Sequence, residues 1–283
     1  MKIKQKFYYL IKRYVNPKLL NKLLIIRRII NNLFFKNNIY NREIKFLDSI
    51  LYNKKFIYQK TFVDIGASNG VSNSNTFKLF INGWKGIAIE SDRDNYKLLS
   101  AAAKGYFVKT VNALVDKENI GEILKKNDCP VNFGFLNLDI DSFEWDILNE
   151  ILGKFKPSLI CVEINERIPP PISFKVKDHL NPIDLGGPFY GMSIQAAYNL
   201  VEKYDYKVIG LFYNNLYIVP KDVKCFEEID VRSAYKYGYV DAYNRKRIFH
   251  WNHKYDYLLE FDENLLKKEI MLIYSKYKNY EID

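Results

Sequence analysis

From residue 61 onward, short apolar runs alternate with stretches of helical spacing. Thr61–Ile65, Gly86–Glu90, Tyr106–Val111, Val131–Ile140 and Ser158–Ile164 read as strands. Asn73–Asn82, Asp92–Lys104, Gly121–Asn127 and Ser142–Leu152 read as the helices between them. Such alternation predicts a parallel sheet with helices on both faces. The stretch Asn165–Gly191 breaks the rhythm with Pro169-Pro170-Pro171, Asn181-Pro182 and Gly186-Gly187-Pro188. A loop of that length inside a compact domain is usually functional, often a lid. Ser193–Tyr204 then reads as a helix, and Tyr206–Phe212 and Leu216–Val219 as two strands. Asn214-Asn215 between them suits the left-handed backbone of a tight hairpin, which makes the last strand antiparallel.

Two flanks differ in pattern from this alternating region. Residues 1–60 read as helical segments broken near Asn16-Pro17 and at Asn37-Asn38. Leu20, Leu23, Leu24, Ile26 and Ile30 recur there at helical spacing, with Lys and Arg between them. That pattern suits a helix packed on the main domain, and it also suits an amphipathic helix lying on a membrane. Residues 221–283 are rich in Tyr and Lys, and Glu260–Tyr277 reads as a closing helix. The expected organisation is a basic helical extension (1–60), a cofactor-binding domain (61–220) and a C-terminal extension packed on it (221–283).

Charge separates the same regions. Residues 1–60 hold 11 Lys and 4 Arg against Glu43 and Asp48, a net of +13, whereas the whole chain carries +10. The basic character therefore belongs to the N-terminal extension. It favours anionic partners such as a membrane surface or nucleic acid, and it is also what a solvated helix face looks like. Three cysteines and no CxxC pattern fit a reducing cytosol. No apolar run approaches the roughly 18–20 residues needed to span a bilayer. The expected location is cytoplasmic, with peripheral attachment of residues 1–35 to the inner membrane face as an option.

Candidate chemistry begins where the first strand ends, at Asp64-Ile65-Gly66-Ala67-Ser68-Asn69-Gly70. Glycine directly after a strand lets backbone approach a ligand closely. A dinucleotide fingerprint would read G-x-G-x-x-G. Here Ser68 replaces the second glycine, no third glycine follows, and Asp64 would repel a pyrophosphate. A ligand bearing a sulfonium tolerates that acid, which favours S-adenosylmethionine. Glu90 closes the second strand 20 residues after Gly70, where a carboxylate can accept both ribose hydroxyls. Asn112 and Ala113, at the third strand end, would border the adenine.

A second group of acids follows the fourth and fifth strands. Asn137, Asp139 and Asp141 share one side at strand period, as do Glu163 and Asn165. Like charges this close take up protons, bind a cation or contact a substrate's hydroxyl or cationic groups. Asp139, Asp141, Glu163 and Asn165 form a candidate Mg²⁺ set of hard oxygen ligands. The alternative has Asp141 capping the following helix and Glu163 paired with a base. His179, in the long loop, is a candidate general base.

These residues together resemble the FkbM-type group of class I methyltransferases. VDIGASNG, IAIE, LNLDIDSFEWDIL, LICVEIN, GMSIQAAYNLVEKYDYKVIG and NNLYIV carry the resemblance, over roughly residues 60–220. It implies a Rossmann-like, seven-stranded, mostly parallel sheet with the last strand antiparallel. It implies S-adenosylmethionine held by Asp64, Gly66, Gly70 and Glu90, and O-methyl transfer to a sugar or surface-glycan precursor. Asp139 matches a position at the family's active site. The family commonly continues D-x-E-G, where this chain has Asp139-Ile140-Asp141-Ser142. A nucleic-acid methyltransferase is disfavoured, because an amino-methylating type would carry (N/D)-P-P-(Y/F/W) after the fourth strand. A non-catalytic, membrane-associated module with the same fold is the other rival.

Overall fold

The computed structural model describes residues 16–34, 39–177, 188–277 and 279–283, apart from the side chains of 18, 27–34 and 39–41. Seven strands, β1 (Thr61–Ile65), β2 (Lys85–Glu90), β3 (Val108–Asn112), β4 (Asn132–Leu138), β5 (Lys156–Glu163), β7 (Tyr206–Phe212) and β8 (Asn215–Pro220), with the short β6 (Phe174–Val176) outside them, form one sheet in the order β3-β2-β1-β4-β5-β8-β7. All run parallel except β8, which is antiparallel to both its neighbours β5 and β7. This is the Rossmann-like, seven-stranded, mostly parallel sheet with one antiparallel strand that the resemblance implied, built on the parallel strands that the alternating pattern predicted. By compactness the chain divides into Met1–Val115 with Lys126–Cys129, and Asp116–Lys125 with Pro130–Asp283.

The first unit contains β1 (Thr61–Ile65), β2 (Lys85–Glu90) and β3 (Val108–Asn112), with helices α1 (Pro17–Phe34), α2 (Ile39–Leu51), α3 (Phe77–Ile81) and α4 (Arg93–Ala103). Val63 lies opposite Ile87 and Ile65 opposite Ile89, so the apolar positions of β1 and β2 stack in register. Gly86 lies under Phe62, where a Cβ would fall 2.1 Å from the ring. Phe62 in turn stacks on Phe80, with centroids 5.2 Å apart. The predicted helix Asn73–Asn82 shrinks to Phe77–Ile81. Side chains capture backbone at its start: Ser74 Oγ accepts the Thr76 and Phe77 N–H groups, and just upstream Asn69 Oδ1 accepts those of Val71 and Ser72. Short polar side chains that bond their own backbone compete with helix in this way. Helix α4 starts as expected, capped by Asp92 accepting from Asn95 N–H. Leu20 and Leu24 of α1 are buried, and Asn21 Nδ2 donates to Leu98 O of α4 at 3.4 Å.

The second unit holds α5 (Ile120–Lys126, save its last residue), β4 (Asn132–Leu138), α6 (Glu144–Leu152), β5 (Lys156–Glu163), β6 (Phe174–Val176), α7 (Ile194–Glu202), β7 (Tyr206–Phe212) and β8 (Asn215–Pro220). The hairpin between β7 and β8 turns at Tyr213-Asn214, one residue earlier than Asn214-Asn215. Phe212 pairs with Asn215, and Tyr213 itself adopts φ +58°. The reason is tertiary: Tyr213 N–H donates to Gly238 O at 2.9 Å and its hydroxyl to Tyr243 O at 2.6 Å. Within the expected irregular stretch, β6 pairs with the C-terminal β9 (Tyr280–Ile282) as a separate two-stranded sheet. Phe174, Phe189, Leu258, Ile270 and Tyr274 pack together beside it. The C-terminal stretch is less regular than one long helix: α8 (Val231–Tyr235), a π turn (Lys236–Val240), α9 (Arg245–Ile248) and a 3-10 segment (His250–Glu260) precede α10 (Glu263–Ile273). Asp262 caps α10, which defers its start past Glu260.

Candidate functional site

In the first unit the turn after β1 is tied to the end of β2. Gly66 and Ala67 N–H groups both donate to Ile89 O, at 3.1 and 3.0 Å. Ser68 sits in the left-handed region at φ +48°, and its N–H donates to Glu90 Oε2 at 2.7 Å. Glu90 Oε1 accepts the Asp92 N–H at 2.7 Å. Glu90, buried at the strand end, thus clamps the turn on one side and the start of α4 on the other. A carboxylate has about four acceptor sites, so holding the turn does not by itself exhaust it. Gly66 and Gly70 have φ +85° and +71°, values that penalise any residue with a Cβ. At Gly70 that Cβ would also meet Leu99 Cδ1 at 2.6 Å. Close packing on α4, as well as ligand approach, therefore accounts for this glycine.

Asp64 is 2% exposed and accepts the Thr76 hydroxyl at 2.5 Å. Asn112 donates its amide to Glu90 O and Ser91 O, at 2.8 and 3.0 Å, and Ala113 N–H donates to Glu90 O at 3.2 Å. Ser68, Glu90, Asn112 and Ala113 are therefore gathered around one strand end. Asn112 reaches that group through its side chain by bracing backbone. A threonine in a Ser/Asn-rich stretch, as Thr76 is, carries no signal of its own in the sequence.

In the second unit β4 and β5 run in parallel register, with Leu138 opposite Val162. Beyond them Asp139, Asp141 and Glu163 each place a carboxylate oxygen within 4.8 Å of the others. Asp139 and Asp141 are exposed, whereas Glu163 is buried. Asp141 adopts φ +55° and does not cap α6, whose N-cap is Phe143. Glu163 Oε1 accepts Asn214 Nδ2 at 2.6 Å rather than a basic group. Glu144, unremarked in the sequence because it falls within a helix, is the organiser of this turn. Its side chain is wholly buried, and Oε1 accepts both Ile140 and Ser142 N–H at 3.1 Å. Burial, with Asp139 adding, pushes its carboxyl up to about 7. Burial, then Asp139, Asp141, Glu144 and Glu166, hold Glu163 well above the usual carboxylate range.

Asn165 is fully buried, and its amide serves the backbone. Nδ2 donates to Pro188 O and Tyr190 O at 2.9 and 3.0 Å, and Oδ1 accepts Arg167 N–H at 3.3 Å. It anchors the returning chain, while the three acids form the oxygen cluster. Next to it Glu166 accepts from the Tyr190 hydroxyl at 2.7 Å and from Asn252 at 2.5 Å, which ties the C-terminal segment to the end of β5. His179 lies outside the described residues.

No family model and no curated protein matches the chain. Solved structures that resemble it include magnesium protoporphyrin IX methyltransferase from Synechocystis PCC 6803 with bound SAH, at 9% identity over 64% of this chain and 81% of that one, TM-score 0.41. The N-terminal domain of EvdMO1 with SAH bound overlaps at 12% identity, 65% and 81% coverage and TM-score 0.40. A putative O-methyltransferase from Klebsiella pneumoniae overlaps at 13%, 75% and 95%, with TM-score 0.44. Overlaps this loose carry no function across to this chain.

Among the described residues, no helix is long and apolar enough to cross a membrane.

Proposed function

We propose that this chain is an S-adenosylmethionine-dependent methyltransferase acting on a hydroxyl of a sugar or surface-glycan precursor. The observation that carries the donor half is the clamp of Ser68 N–H on Glu90 at the end of β2. It sets a glycine turn and a strand-end acid in one rigid unit, within a sheet of methyltransferase order. The residues fit the cofactor's chemistry: Glu90 offers acceptors to ribose hydroxyls, and an acid at Asp64 is compatible with a sulfonium but not with a pyrophosphate. Bound S-adenosylmethionine would supply an electrophilic methyl group. The chain's own part is to hold the donor through the turn and Glu90, and to align the acceptor. Alignment of reacting groups is worth up to about 7–11 kcal/mol in well-oriented cases. Asp139 is exposed and takes the hydroxyl proton at its carboxylate or directs the hydroxyl by hydrogen bonding.

The glycan half rests on the FkbM-type motifs. Its test is methyl transfer from labelled donor to fractionated surface glycans, with and without EDTA. Labelled glycan that disappears in Asp139→Asn supports the reading; no labelled glycan in either condition refutes it.

The location is proposed from α1. Leu20 and Leu24 are buried on one side of this helix, while Leu19, Leu23 and Ile26 are each more than half exposed on another. The apolar arc is wider than packing within the unit uses. Together with the basic charge of residues 1–60, this favours an anionic membrane surface.

A further inference from the structure

In the second unit, acids collect where β4 and β5 end, and the group includes Asp139 of the proposed reaction together with two that the reaction does not use. Asp139, Asp141 and Glu163 bring three carboxylate oxygens within 4.8 Å of one another. Two of these acids lie in the turn after β4 and one closes β5, so the parallel register of the two strands sets the cluster. A group of acids alone is no site. Here the buried member is itself incomplete: Glu163 is 7% exposed, its Oε1 is held by Asn214, and its buried Oε2 has no hydrogen-bond partner. Buried polar atoms are nearly always satisfied, and an unsatisfied one calls for an ion, a water or a functional role. Glu144 fixes the other half by holding Ile140 and Ser142 N–H, which freezes the turn that presents Asp139 and Asp141.

The spacing fits a hard cation. Opposite ligands of Ca²⁺ lie about 4.6–5.2 Å apart and those of Mg²⁺ about 4.0–4.2 Å, with adjacent ligands closer. Three ligands of one ion include at most one opposite pair, so carboxylate oxygens within 4.8 Å of one another are near enough to converge on a hard cation once the side chains draw in. Exposed Asp139 and Asp141 leave the remaining coordination positions to water or a ligand hydroxyl.

We propose that Asp139, Asp141 and Glu163 form a divalent-cation site for a hard ion of the Mg²⁺, Mn²⁺ or Ca²⁺ class. It stands whether or not the chain transfers methyl groups, because binding is read directly. The full chain is stripped with EDTA, dialysed and titrated with MnCl2, counting bound ion by electron paramagnetic resonance. MgCl2 and CaCl2 follow in thermal unfolding, against NaCl of equal ionic strength. One Mn²⁺ per chain is expected, with a melting temperature about 3 °C or more higher at roughly a hundredfold excess over Kd. Asp141→Asn should weaken binding at least tenfold without unfolding the turn, since Asn tolerates the left-handed backbone at this position. Glu163→Gln should raise the metal-free melting temperature yet abolish the cation response, which a merely damaged fold would not do. Absence of bound Mn²⁺, or an unchanged response in both variants, overturns the site.

Discussion

Replacing Glu144 by Gln should stabilise the protein at alkaline pH and do little at acid pH. The carboxyl is fully buried, and burial lifts it from 4.5 to about 7. A carboxyl raised on folding is harmless while both states are protonated, and its penalty grows as pH rises toward the folded value. By proton linkage that penalty is about 3 kcal/mol at pH 8 and under about 1 kcal/mol at pH 5. Gln keeps the acceptor that Ile140 and Ser142 N–H use through Oε1. It removes the charge beside Asp139 and puts a neutral Nε2 amide where the buried Oε2 has no hydrogen-bond partner. Urea unfolding of wild type and Glu144→Gln at pH 5 and pH 8, both in EDTA, measures the difference. The variant should gain about 2–3 kcal/mol at pH 8 relative to its gain at pH 5. Equal effects at the two pH values, or a loss at pH 8, would show that this carboxyl is not held protonated by its surroundings.

Gly70→Ala should lower the melting temperature by several degrees, because the left-handed backbone costs about 1–2 kcal/mol and Leu99 must also give way. Gly105→Ala is the control: it shares a positive φ of +90° but has nothing within 4 Å, so the gap between the two variants in differential scanning fluorimetry reads the packing at Leu99. The full chain should co-sediment with vesicles containing anionic phospholipid and not with neutral ones, and should lose this when Leu19, Leu23 and Ile26 are all changed to Ser; equal sedimentation of that variant would remove α1 as the contact. Asp139→Asn should abolish methyl transfer while leaving S-adenosylhomocysteine affinity within about threefold, which radiolabel transfer and calorimetry separate.

The parallel strands were legible because each is a short apolar run closed by a polar residue at its end. β1 matches its expected bounds, and β2 and β5 differ from theirs by only one or two residues. Legibility failed where side chains and backbone made private bargains. Ser74 took over backbone N–H groups that the pattern gave to a helix. The hairpin turned at Tyr213 because residues 238 and 243, distant in sequence, hold it there. β6 was hidden because its partner β9 lies about a hundred residues away, near the C-terminus. At the candidate site the acids themselves were visible as strand-end residues. Glu144 and Thr76 were not, since each acts through buried bonds to groups that only the fold brings near. Asn165 was visible as well, but not that its amide bonds backbone at 167, 188 and 190, groups that only the fold brings to it.

In the proposed function, the turn at Gly66–Gly70 and the acid at Glu90 hold S-adenosylmethionine. Titration calorimetry of the full chain with S-adenosylhomocysteine, and in parallel with NAD, tests it most directly. Micromolar binding of the first, none of the second, and at least tenfold weaker binding in Glu90→Ala are expected, since a hydrogen bond to a charged group is worth about 1.5–3 kcal/mol. Binding of NAD in preference, or S-adenosylhomocysteine affinity indifferent to Glu90, would contradict it.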